Sequence, residues 1–302
     1  KIKDFRDPKE VWHEQSQKWI LVLAAYDRVK FYASTNLIDW KFISDFGIEG
    51  DKRLWECPDL FPMKVEGTNE EKWVLIVSIQ KDAPNDGTAT SYFVGEFDGT
   101  EFKSDRNTQK WLDWGADNYA FVTWHNIPKE DGRTMGIGWM SNWQYAQIVP
   151  TEVWRSAMTL PRELMLHRDG DDFSLRSSPV EELKSLRQSK MPIETLTIND
   201  SLKIEGSFDP LQCEFGLLID LNKTTARQFG MELSNELGER VIISVDKEKN
   251  LLMVDRTESS KNKFSEEFYN EVHTAPLKLS KDDLDLTFFL DASSVEIFAN
   301  NG

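Results

Sequence analysis

Hydrophobic positions fall in short runs between polar ones along most of the chain, and helical periodicity is scarce. "KWILVLAAY" (18–26) is followed by "VKFYAST" (29–35), "KWVLIVSI" (72–79) by "SYFVGEF" (91–97), and "NYAFVTW" (118–124) by "RTMGIGWMS" (133–141). These runs are rich in β-branched and aromatic residues and are bounded by Gly, Asn, Asp and Pro, which is the pattern of strands between turns. Three strand pairs are therefore predicted in the first half, each following a polar motif, at Asp7, Glu56 and Asp117. The motifs are 49 residues apart (7 to 56) and then 61 (56 to 117). Repeats of about 40–50 residues, each a small antiparallel sheet, mark the blades of a propeller.

The character changes after "WRSAMTLPREL" (154–164). In "SSPVEELKSLRQ" (177–188), Ser178 as cap, Pro179 in the first turn and Glu181 closing a capping box predict a helix. Strands alone follow: "TLTIN", "LKIEGSF", "CEFGLLIDL", "RQFGMELS", "RVIISVD", "LLMVDR", "LDLTFFLD" and "SSVEIFA". Such spacing without helices predicts a β-sandwich. The expected organisation is a propeller part over 1–165, a connection with a short helix over 166–190, and a sandwich over 191–302. The final strand runs into Asn301-Gly302, a strong hairpin signal with no returning strand, and the first polar motif begins at Phe5. An internal piece of a longer protein, cut at both ends, is the expectation.

Composition narrows the function. Hydrophobic residues at 39% and charged residues at 29% are those of a folded soluble protein. A net charge of −16 argues against nucleic acid or an anionic membrane as partner, since both require a basic surface. It suits a neutral substrate such as a sugar, and eleven Trp and eighteen Phe offer flat faces for sugar rings or fill for a β core. Cys57 and Cys213 stand alone, and His13, His125, His167 and His273 have no metal-ligand spacing. No metal, no cofactor and no membrane span is expected, and no Gly-rich phosphate loop is present.

Two carboxyl groups have contrasting settings. Asp7, in "FRDP", has Arg6 beside it to favour the charged form, and Pro8 after it. Glu56, in "LWECPDLF", lies between Trp55 and Cys57, an apolar setting that suits a proton donor. Glycosidases divide their work between one ionised and one protonated carboxyl group. From the residues alone, the alternative that both cap turns at blade ends stays open, as does a turn role for Asp117 in "GADNYA".

"FRDPK" (5–9), "WECPDLF" (55–61), "GADNYA" (115–120) and "WMSNWQYAQIVPTEVWRSAMTLPREL" (139–164) resemble glycoside hydrolase family 32, the family of invertases, inulinases and levanases. "LLMVDRT" (251–257) and "LDLTFFLDASSVEIFANNG" (284–302) resemble its C-terminal sandwich. The resemblance implies an all-β fold, a five-bladed β-propeller (N-terminally incomplete here) followed by a β-sandwich. It also implies hydrolysis of terminal β-fructofuranosyl bonds in fructans or sucrose, with retention. By motif, Glu56 is the acid/base, Asp7 the transition-state stabiliser, and Arg6 orients Asp7 and the substrate. Cys57 tunes the neighbouring carboxyl group, and Asp117 and Trp143 shape the sugar subsite.

One part of the pattern is missing. The family's nucleophile is an Asp in a motif resembling WMNDPNG, and it is absent from this chain. "PNDG" (84–87) follows the Glu56 motif and lies between two strands of a later blade, so Asp86 is not assigned the role. The chain is accordingly expected to be inactive alone, and its parent to be secreted or periplasmic. A non-catalytic fructan-binding protein and a fructosyltransferase on the same scaffold are the alternatives. Oligomeric state is not readable.

Overall fold

The computed structural model describes residues 2–106, 108–128, 130–279 and 282–302. The first sheet is an antiparallel meander of β1 (Phe5–His13), β2 (Lys18–Ala25), β3 (Arg28–Ser34) and β4 (Lys41–Gly47). The second has β5 (Trp55–Lys64), β6 (Glu71–Ile79), β7 (Ala89–Phe97) and β8 (Phe102–Ser104), with β9 (Lys110–Trp111) also paired to β7. The third runs β10 (Tyr119–Thr123), β11 (Thr134–Met140), β13 (Arg162–Asp169) and β14 (Asp172–Pro179), with β12 (Ala157–Met158) on β11. The first strands of successive sheets, β1, β5 and β10, lie side by side, as in a propeller.

Burial explains the hydrophobic patterns. Ile20, Val22, Val29 and Phe31 of the first sheet pack on Leu75, Val77 and Phe93 of the second. The opposite face of the second sheet, with Val74 and Ile76, packs on Phe121, Leu164, Leu166 and Phe173 of the third. The strand β6 is thus enclosed on both faces, which is why "WVLIVSI" reads as a continuous apolar run instead of an alternating one.

A buried polar row stitches the three sheets. Asp59 on β5 is 1% exposed. Its Oδ2 accepts from Lys9 Nζ of the first sheet (2.5 Å) and from the Thr123 amide and hydroxyl of the third (2.8 Å each). Lys9 also donates to the Thr123 carbonyl at 2.6 Å. A charge taken out of water is tolerated only when paired and hydrogen bonded, so this row is specific about which strands lie together.

The second half is a sandwich of β15 (Cys213–Asp220), β20 (Asp283–Asp291) and β21 (Ser294–Ala299) against β16 (Gln228–Ser234), β17 (Arg240–Asp246), β18 (Leu251–Asp255) and β19 (His273–Pro276). Ile243, Val245, Leu284, Leu286 and Phe288 form its core. A single helical turn, α1 (Glu266–Tyr269), precedes β19.

Two sequence expectations change here. Ser178 and Pro179 do not start a helix; they end β14, opposite Glu163 and Arg162. Leu164 and Leu166 on one strand, and Phe173 and Leu175 on the other, all point into the second core, so the hairpin runs on through residues assigned to a connection. The helix is a short 3₁₀ turn, Glu181–Leu186, with Val180 at its N-cap and no side-chain cap. Likewise "TLTIN" and "LKIEGSF" lie outside any strand, with Leu196, Ile198 and Leu202 exposed. A strand needs a neighbour for its backbone groups, and no described strand pairs with these residues.

Replacing Asp59 with Ala strands the Lys9 ammonium among the three sheets. The expected loss is about 3–5 kcal/mol, read as a lower denaturant midpoint for the propeller-like half.

Candidate active site

The three polar motifs occupy one structural position. The pairing of β1 with β2 slips between Arg6 and Lys9, that of β5 with β6 between Glu56 and Asp59, and that of β10 with β11 between Tyr119 and Val122. At each slip a non-glycine residue has left-handed φ: Asp7 at 56°, Cys57 at 47° and Ala120 at 52°. Each such residue costs about 1–3 kcal/mol, and the surroundings hold it there. The Cys57 amide donates to Asp7 Oδ2 at 3.0 Å, and the Ala120 amide to Ser78 Oγ at 3.0 Å. A bulge re-aims the side chains around it. Here three bulges turn Arg6, Glu56 and Tyr119 toward one another.

Glu56 is the centre of that set, with only 9% of its surface exposed. Its Oε1 accepts from Arg6 Nη1 at 3.0 Å and its Oε2 from the Tyr119 hydroxyl at 2.5 Å. Burial, and then the bond to Glu56, push the Tyr119 hydroxyl far above its ordinary range, so it remains a donor. Arg6 also pairs with Asp4. The sequence pairs Arg6 with Asp7, but the structure turns the guanidinium to Glu56 and Asp4 while Asp7 takes the Cys57 amide. The Cys57 thiol, 3.7 Å from Asp7 Oδ2, is pushed up to about 12 by burial first and then by Asp7 and Glu56.

Of the two expected subsite residues, Trp143 belongs to an aromatic row leading away from Glu56. Its ring is 5.0 Å from that of Trp139, which is 6.2 Å from Tyr119, and it is half exposed. Asp117 sits where the third sheet meets the sandwich. Its Oδ1 accepts from the Tyr145 hydroxyl at 2.5 Å and its Oδ2 from Arg256 Nη1 at 2.8 Å. Asp86 bonds its neighbour Gly87 and Gln144, and the adjacent Asn85 bonds the amide and carbonyl of Thr274. The PNDG turn is therefore a docking point for the sandwich.

Tyr119 and Arg256 join the site although their own motifs, "GADNYA" and "LLMVDRT", do not mark them. Nothing local to either marks its partner, which is 63 residues away for Tyr119 and 139 for Arg256. Among the described residues no group of three or more His, Cys, Asp and Glu has the geometry of a metal site.

A thiol pushed up to about 12 by burial and by its carboxylate neighbours holds almost no thiolate at pH 8.5, and the thiolate is the reactive form. Iodoacetamide at that pH is expected to leave Cys57 unmodified in the folded chain and to alkylate it fully in urea, scored by peptide mass.

Residues 1–179 match the family described as "Glycosyl hydrolases family 32 N-terminal domain", and residues 182–302 match "Glycosyl hydrolases family 32 C terminal". The chain is 40% identical over 311 residues to the levanase of Bacillus subtilis (strain 168), a match covering 99% of this chain and 45% of the relative. It is 35% identical over 316 residues to the extracellular exo-inulinase of Aspergillus awamori, covering 99% and 58%. The crystal structure of exo-inulinase from Aspergillus awamori aligns with a TM-score of 0.88 at 34% identity, over 99% of this chain and 60% of that one. The β-fructofuranosidase of Schwanniomyces occidentalis complexed with fructosyl-erythritol aligns at 0.75 and 25% identity, over 99% and 62%. The chain spans about half the length of the curated relatives it matches. With its propeller-like and sandwich parts both matched in order, this chain belongs to glycosyl hydrolases family 32.

Proposed function

We propose that this chain carries the proton-transfer half of a retaining β-fructofuranosidase that removes terminal fructosyl residues from fructans or sucrose. The observation that carries the reading is the setting of Glu56: buried, clasped by Arg6 and Tyr119, and on a bulge next to the one that bears Asp7. Protonated Glu56 delivers its proton to the leaving glycosidic oxygen. Arg6 and the Tyr119 hydroxyl then face the carboxylate left behind, one on each oxygen. In the second step that carboxylate takes a proton from the attacking water. Asp7, held by the Cys57 amide, hydrogen-bonds the fructosyl hydroxyls as positive charge develops on the ring.

Trp143 offers a half-exposed face for stacking on the sugar. Asp117 keeps a second lone pair on each oxygen for a hydroxyl, beyond those used by Tyr145 and Arg256. The propeller-like part up to residue 179 is the catalytic unit and the sandwich the second one. The descriptions of the relatives, levanase and extracellular exo-inulinase, favour a fructan substrate and work outside the cytoplasm.

A retaining glycosidase needs a second carboxyl group about 5–5.5 Å from the acid. Glu56 has Arg6 and Tyr119 as its hydrogen-bond partners, and the WMNDPNG-like nucleophile motif is not in this sequence. These 302 residues alone are therefore proposed to release no fructose.

The test compares this chain with a longer polypeptide containing it, on sucrose, inulin and levan, by released fructose. Glu56→Gln in the longer form is expected to lower kcat by about 10²–10⁴-fold. Full turnover by the mutant overturns the acid/base assignment, and turnover by the 302-residue chain equal to that of the longer form overturns the half-site reading. Calorimetric sugar binding without turnover would instead mark a binding protein, and fructosyl-sugar products a transferase.

A further inference from the structure

Three parts of the sandwich connect to the same seven residues of the propeller-like part, 113–119, which enter β10 and end on Tyr119: one directly, and two through Arg162 and Asn85. The first bridge starts from Arg256, just after β18. Its Nη1 donates to Asp117 Oδ2 (2.8 Å) and its Nη2 to the Tyr145 hydroxyl (3.0 Å), which in turn donates to Asp117 Oδ1. The guanidinium lies 3.7 Å from the centre of the Phe268 ring, so its plane is fixed from the sandwich side.

The second bridge starts from Glu296 on β21, which accepts from Arg162 Nη2 (2.6 Å) and from the Leu160 amide (2.7 Å). Arg162 Nη1 donates to Asp113 Oδ2 (2.6 Å), and Asp113 takes the Gly115 amide and the Asn118 side chain. The third bridge is Thr274 on β19. Asn85 bonds both its amide and its carbonyl, and donates to the Trp114 carbonyl as well.

Attachment alone does not require this arrangement. Two domains can be joined anywhere along their contact, and the Lys278–Asp169 pair, which also spans them, is largely exposed. Exposed pairs of that kind contribute little. Arg162, Arg256 and Glu296 are instead at most 9% exposed, and charge-assisted bonds at such sites hold geometry tightly. What they hold is the loop that delivers the Tyr119 hydroxyl to Glu56.

We infer that the sandwich positions the acid: by gripping residues 113–119 through Arg256, Thr274 and Glu296, it holds the Tyr119 hydroxyl against Glu56. The inference rests on the reading of Glu56 as acid/base. Arg256 touches no reacting atom in this scheme and is a positioning residue.

The test is a double-mutant cycle in the longer form that contains this chain, with Arg256→Gln and Tyr119→Phe, made singly and together. Arg256→Gln is expected to lower kcat on sucrose by about 10-fold or more when Tyr119 is present, and by less than about twofold when it is Phe, because the two act in series. Equal losses in both backgrounds overturn the proposal. Amide hydrogen exchange over 113–119 is expected to speed up by about 10-fold or more in Arg256→Gln, with β2 and β6 unchanged. Should Arg256→Gln fail to fold, Asn85→Ala removes the Thr274 bridge, leaves both ion clusters, and carries the same readouts. Turnover that survives Glu56→Gln overturns the acid reading and this proposal with it. A slow Glu56→Gln enzyme combined with unchanged exchange in Arg256→Gln overturns this proposal alone.

Discussion

Two carboxylates on one inner strand have to be satisfied out of water, and the middle of the molecule is organised around that need. Glu56 and Asp59 both lie on β5, each buried, and each is met in the same way. The sheet before supplies a cation, Arg6 or Lys9, and the sheet after supplies a hydroxyl, from Tyr119 or Thr123. An uncompensated charge at either place would cost several kcal/mol, so the carboxylates select which strands adjoin β5 and in what register. The apolar cores on both faces of the second sheet supply most of the burial energy, but Val, Leu and Phe tolerate sliding in a way that these paired charges do not.

The same row also turns structure into chemistry. Asp59 has Lys9 and both polar groups of Thr123 and is closed off from solvent, which makes it a structural acid. Glu56, at the bulge, has one partner on each oxygen, Arg6 and Tyr119, and it is the group on which the proposed proton transfer rests. The three left-handed residues, Asp7, Cys57 and Ala120, carry the cost of that turn. Strain of this kind persists only where the surroundings over-determine it, and the hydrogen bonds from the Cys57 amide to Asp7 and from the Ala120 amide to Ser78 do so.

The sandwich enters the same network from outside. Its contacts do not stop at the surface of the third sheet but continue through Asp117, Asp113 and Trp114 toward Tyr119. The geometry of Glu56 therefore depends on residues separated by up to about 240 positions in the chain, from Glu56 itself to Glu296.

Much of this was legible in the sequence. Short β-branched and aromatic runs located six strands of the first half, β2, β3, β6, β7, β10 and β11, and most of those of the sandwich, because such side chains suit a strand wherever it is buried. The motifs around Asp7, Glu56 and Asp117 stood out because bulges and turns draw on a small set of polar residues. What one sequence could not decide was anything that depends on a partner across a sheet. Ser178 and Pro179 fit a capping pattern perfectly well, yet the β13–β14 ladder claimed them, since a hydrophobic core a few residues earlier outweighs a cap worth about 1 kcal/mol. Arg6 looked like a partner for Asp7 and became one for Glu56, because neighbours on a bulged strand point apart. The sequence by itself determined the class of fold and the family, and it marked Asp7, Glu56 and Asp117 as candidates for the chemistry. Only the tertiary structure decided who holds whom, because a side chain's partner is chosen by the packing of distant strands and not by the residues beside it.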